Sequence, residues 1–150
     1  MSKIKRILLP VAFSENDLLA AEYAQDIARC SGAEIVLLHI TRPSDFLGED
    51  ILQTLHKDYV SYEKEAADKL MDAFIQKSLE GVKVTGKEVL KGNPSDEILR
   101  YALHNDIQMI VIATHCRSGL ESMFVGSVAE RVIKKASCPV LAVHPPCRLE

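Results

Sequence analysis

Four short apolar runs punctuate the chain, at Lys5 to Val11, Glu34 to Ile40, Ile107 to Ala113 and Val140 to Val143. None alternates regularly with polar residues, which is the pattern of strands buried on both faces of a parallel sheet. Between the first two, Leu19, Tyr23 and Ile27 recur every four residues beside Ala20, Ala24 and Ala28. This predicts a helix over about 15 to 30 with one apolar side and one close-packing side. Ser14 and Asp17 are spaced for a capping box at its start, and Gly32 supplies a left-handed stop. Arg42 to Lys57, with Pro43 and Gly48, reads as a long irregular connection or a short helical turn. Tyr59 to Leu79 lacks Gly and Pro and sets an apolar stripe (Ala66, Ala67, Leu70, Ala73, Phe74) against Glu63, Lys64, Asp68 and Lys69, which predicts a long amphipathic helix.

Val82 to Leu90 alternates as an edge strand does and ends at Gly92. Asn93 is placed to cap a third helix with Pro94 in its first position and Ile98, Tyr101 and Ala102 on the inner face. Gly126-Ser127, with Glu130 three residues beyond the serine, predicts a capping box at the start of a fourth helix. The order βαβ, linker, αβαβαβ with right-handed returns defines an α/β fold, a doubly wound five-stranded parallel sheet.

Of the 150 residues, 47% are hydrophobic, enough for one buried core. A single domain over residues 1–147 is expected, with 148–150 as a tail in which Leu149-Glu150 reads as a vector remnant. Eighteen Lys and Arg against 21 Asp and Glu leave a net charge of −3 without a basic stripe, and aromatic residues are only 5% with no Trp. Nucleic acid is therefore not an expected partner. Pro10 interrupts the first apolar run, and no stretch approaches the roughly 18 apolar residues of a membrane helix. A cytoplasmic location off the membrane is expected. Cys30, Cys116, Cys138 and Cys147 lie far apart without a C-x-x-C pair, so reduced thiols are expected rather than disulfides or a zinc ribbon.

In an open α/β sheet, ligands bind beyond the carboxyl ends of the strands where the strand order reverses. The residues just after the strands are Ala12-Phe13-Ser14, Thr41, Gly92-Asn93, Thr114-His115-Cys116-Arg117 and His144. The loop from Thr114 to Val125 runs into Gly126-Ser127, a Gly-led helix start. Such a start suits an anion, although it also serves as a helix terminus and nothing more.

Several blocks together carry a resemblance: Ile7-Leu8-Leu9-Pro10-Val11 followed by Phe13-Ser14, Leu37-Leu38-His39-Ile40, Gly92-Asn93-Pro94 before Glu97-Ile98, Thr114 to Gly119 leading to Gly126-Ser127-Val128-Ala129-Glu130, and Cys138-Pro139-Val140-Leu141. Over nearly its whole length the chain resembles the universal stress protein family. The resemblance implies a Rossmann-type fold like that of the adenine nucleotide alpha hydrolases, strand order 3-2-1-4-5, a homodimer joined through the last edge strand, and a role in survival under stress rather than one defined reaction. One branch of the family carries G-x-x-G, nine residues, then G-[ST], in which the glycines close on the phosphates of ATP. Counting back from Gly126-Ser127 places Cys116 and Ala113 at the two leading glycines, and the aspartate that the branch carries after the first strand falls on Ala12. A side chain at 116 occupies phosphate space and resists positive φ, while Ala12 removes a carboxylate acceptor for a hydroxyl or Mg²⁺. Gly126, Ser127 and Ile40 match.

The nucleotide-site candidates are thus Ala12, Ile40, Ala113, Cys116, Arg117, Gly126 and Ser127, with ATP or AMP and Mg²⁺ as the ligands in question. No catalytic residue is assigned. Of the readings this leaves, a non-catalytic binding module with a degenerate nucleotide site leads, ahead of an ATP-binding protein with slow hydrolysis helped by Arg117 and of a thiol sensor at Cys116. His39, His115 and His144 fall near strand ends, yet no metal site is assigned to them. Val140, Leu141, Ala142 and Val143 form the expected dimer edge, and further protein partners are left unidentified.

Overall fold

The computed structural model describes residues 3–42, 49–115 and 126–146, of which 49–61 by the backbone alone. The elements follow in the order β1 (Arg6–Pro10), α1 (Glu15–Ser31), β2 (Glu34–Thr41), α2 (Glu49–Ser78), β3 (Val84–Lys91), α3 (Pro94–His104), β4 (Met109–Ala113), α4 (Ser127–Lys135) and β5 (Val140–Val143). All strand pairs are parallel, and the sheet order is β3-β2-β1-β4-β5. The chain builds outward from β1 to β3, then returns to place β4 on the free side of β1. That reversal opens a crevice between β1 and β4.

Alternate residues of each strand feed two separate cores. Ile7, Leu9, Ile35, Leu37 and Val111 pack with Ala20, Ala24, Met71 and Phe74, so α1 and α2 cover one face. Leu8, Val36, Leu38, Ile110 and Ile112 pack with Ile98, Ala102 and Val132, so α3 and α4 cover the other. Burial on both faces is why these strands lack polar alternation.

Helix orientation departs from the periodicity in two places. On α1 the alanines at 20, 21, 24 and 28 are buried while Tyr23 stays half exposed, because the small side chains let the helix backbone approach the sheet. On α2 the buried line is Ala67, Met71 and Phe74, with Leu70 exposed, a stripe rotated by one position from the expected one. The helix also begins at Glu49, ten residues before Tyr59, so part of the expected irregular connection is helical.

The helix starts differ in chemistry. The Asp17 carboxylate accepts the Ser14 N–H at 2.9 Å, as the capping spacing predicted, whereas the Ser14 hydroxyl is buried without a partner among the described residues. Gly32 ends α1 at φ 71°. At α3, Asn93 Oδ1 accepts from the Asp96 N–H at 3.3 Å and the Ser95 hydroxyl at 2.8 Å, and Pro94 occupies the first turn. The predicted box at Ser127 does not form. Ser127 is already helical, Gly126 is the cap residue with φ 80°, and Glu130 instead pairs with Lys134 at 2.6 Å one turn on. With a glycine as the cap residue there is no hydroxyl to complete the box, and Glu130 falls one position beyond the capping site.

Candidate ligand cleft at the strand ends

The carboxyl ends of β1, β2 and β4 and the starts of α1, α3 and α4 enclose a cleft of about 580 Å³. Its walls differ in character. Leu38, Ile40, Pro94 and Ile98 make an apolar side at the end of β2 and the start of α3. Gly126, Ser127, Val128 and Ala129 present the start of α4, where no side chain of the described residues acts as a cap. The first turn of a helix carries N–H groups without intrahelical acceptors and the positive end of the dipole, so this wall suits an anion.

The turn from β1 into α1 forms the floor. Phe13 sits at φ 60°, a left-handed conformation unusual for a bulky residue. Asp17, only 4% exposed, holds the turn by accepting the N–H groups of Ala12 and Ser14 through Oδ2, each at 2.9 Å. His39 Nδ1 lies 2.8 Å from the Val11 carbonyl, and its ring packs on Phe13 at a centroid distance of 4.6 Å. Arg42, immediately after β2, adds a cation to the rim. At the opposite rim the exposed His115 places Nδ1 3.1 Å from the Asn16 amide, joining the end of β4 to α1.

Five of the seven nucleotide-site candidates, Ala12, Ile40, Ala113, Gly126 and Ser127, come together on this cleft. Cys116 and Arg117 lie outside the described residues. Sequence reasoning missed Arg42 and Pro94 as lining residues and read Asp17 only as a cap. Arg42 was within reach, since it follows a strand as Ala12 does. Asp17 was not, because its approach to the cleft depends on how α1 returns over the sheet.

The three histidines do not converge. His39 engages Val11, His115 engages Asn16, and His144 Nδ1 lies 2.6 Å from the hydroxyl of the buried Thr114. Among the described residues no three His, Cys, Asp or Glu side chains are grouped to hold a metal. Of the two cysteines described, Cys30 is exposed, and burial pushes the Cys138 thiol up, away from the reactive thiolate. No helix among the described residues is long and apolar enough to cross a membrane.

An open parallel sheet with a cleft at its switch point and a helix start facing that cleft defines the doubly wound class of α/β domains. The model of the universal stress protein family matches residues 3–144, and the chain belongs to that family. It is 36% identical over 148 residues to a universal stress protein of Methanocaldococcus jannaschii, an alignment covering 95% of this chain and 83% of the relative. Among solved structures it is similar to universal stress protein UspA from Lactobacillus plantarum, with TM-score 0.77, 23% identity and coverage of 95% of this chain and 99% of that one. It also shares the fold of a universal stress protein family member from Arabidopsis thaliana solved with AMP bound, at TM-score 0.63 and 19% identity, covering 95% and 93%.

Proposed function

We propose that the protein is a stress-response binding module that holds an adenine nucleotide weakly and does not turn it over. The cleft carries this reading. Its volume of about 580 Å³ falls within the range of small-molecule sites, and it joins an apolar wall suited to a purine to a helix start suited to phosphate. AMP in a protein of the same fold supports the choice of ligand. Weakness is argued from Cys116 and Ala113 in place of small, flexible glycines and from Ala12, which offers no carboxylate to Mg²⁺. Losing such contacts costs about 2–4 kcal/mol, or roughly 30- to 1000-fold in affinity. The same departures carry the absence of turnover, since they remove a carboxylate for Mg²⁺ and the glycines that would close on the phosphates. Calorimetric titration with ATP and with AMP, each with Mg²⁺, is expected to give dissociation constants above about 10 μM. A tighter constant would remove the degenerate-site reading, and steady release of phosphate would remove the non-catalytic one.

The same reading includes a homodimer through β5. This four-residue strand is a sheet edge with Val140, Leu141 and Ala142 half-buried, and Pro139 before it and Pro145-Pro146 after it limit how far pairing can extend. Antiparallel pairing with a twofold-related copy satisfies the edge and closes the assembly. Val143 is only 5% exposed within one chain and packs in its core, so a charge there tests folding rather than association. Leu141→Lys is the cleaner probe. Sedimentation should show a dimer for the parent and a monomer for Leu141→Lys, and an unchanged mass would exclude β5 as the interface.

A further inference from the structure

We propose that Asp17 is the ligand's hydrogen-bond acceptor in the cleft and that it takes the ribose hydroxyls of the nucleotide, an inference that rests on the reading just given. Asp17 is the only carboxylate among the described residues that line the cleft, and it is 4% exposed. Its two hydrogen bonds among the described residues, from the Ala12 and Ser14 N–H groups, both end on Oδ2. An ionised carboxylate has about four lone-pair positions, so Oδ1 keeps its accepting capacity while Oδ2 fixes the side chain in place. A fixed acceptor loses little conformational entropy when a ligand arrives.

Position selects the donor. The sheet order places β1 between β2 and β4, and Asp17 is bound to the turn that leaves β1. The apolar wall at Leu38, Ile40, Pro94 and Ile98 lies on the β2 side, and the start of α4 lies on the β4 side. A nucleotide laid with its base on the first and its phosphates on the second carries its sugar across the end of β1. The sugar is also the part that bears two hydroxyl donors. Asp17 thereby supplies from the first turn of α1 an acceptor that Ala12 lacks.

The test is a titration of the full chain followed by amide NMR shifts, with ATP and with 2′,3′-dideoxy-ATP. The parent is expected to prefer ATP by about tenfold or more, because the dideoxy sugar brings no donor to Oδ1. Asp17→Asn keeps an oxygen for the two N–H groups and is expected to bring the preference within about threefold. Isotope-filtered contacts between the ribose protons and the Asp17 β-protons provide a second measurement on the parent and are expected to be present. Equal affinities in the parent, absent contacts, or an Asp17→Asn variant that weakens both nucleotides alike with the ratio intact would overturn the assignment. The last result would reduce Asp17 to a residue that only positions the turn. If neither nucleotide binds at millimolar concentration, the nucleotide reading falls and this inference with it, whereas binding without discrimination removes this inference alone.

Discussion

Replacing Asp17 by Ala is expected to lower the stability of the fold by about 2–4 kcal/mol, an unusually large effect for a polar residue at a helix start. Two N–H donors, those of Ala12 and Ser14, end on the one carboxylate oxygen at 2.9 Å. Hydrogen bonds to a charged group are worth more than neutral ones, and donors left without a partner in a part-buried turn add their desolvation cost. The same bonds hold Phe13 at φ 60°, a conformation the turn would abandon once they are gone. Asp17→Asn should recover most of the loss, since an amide oxygen still accepts. Urea unfolding of the three proteins measures this directly. A loss below about 1 kcal/mol in Asp17→Ala would show that the turn is held by packing, for which the contact of Phe13 on His39 is the candidate.

Leu37→Ala should cost about 2–5 kcal/mol, the range for deleting a fully buried aliphatic side chain and leaving a cavity. Leu37 has no exposed surface, pairs in register with Leu9, and belongs to the cluster closed by Met71 and Phe74 of α2. At about 2–4 °C per kcal/mol for a chain of this size, the midpoint of thermal unfolding should fall by roughly 5–20 °C. The ligand cleft opens at the strand ends and is not lined by Leu37, so nucleotide affinity should stay within about twofold of the parent. Calorimetric melting together with the ATP titration checks both halves. A small melting shift would mean that α2 does not close this face, and a large affinity loss would mean that the two faces of the sheet are coupled.

Local sequence and tertiary structure contributed different things. Strand identity was legible, because a segment buried on both faces must be apolar throughout: β5 was expected at Val140–Val143 and lies there, and β1, β2 and β4 fall inside or within one residue of their predicted runs. The caps at Asn93 and Gly32 were legible for a similar reason, since each answers a backbone need within a few residues of itself. Family membership was legible in the motif blocks, and the strand order that the resemblance implied is the order observed. What surrounds a helix is not written in its own period. Whether Tyr23 or Ala24 faces the sheet, or Leu70 rather than Met71, depends on how closely the helix can approach the strands beneath it. Glu130 stands at the capping spacing from Ser127, yet the helix begins one residue earlier, at a Gly126 cap that has no side chain to complete the box. The cleft itself is a property of the crossover between β1 and β4, and it gathers residues from positions 10 to 129. Ala12 announced itself by following a strand and Gly126-Ser127 by opening a helix, while Ile40 and Ala113 were placed by the family resemblance. Asp17, buried at the turn it braces, acquires its place on the cleft only when α1 folds back over the sheet, because a carboxylate seven residues past the end of its strand carries no local mark of what it will face.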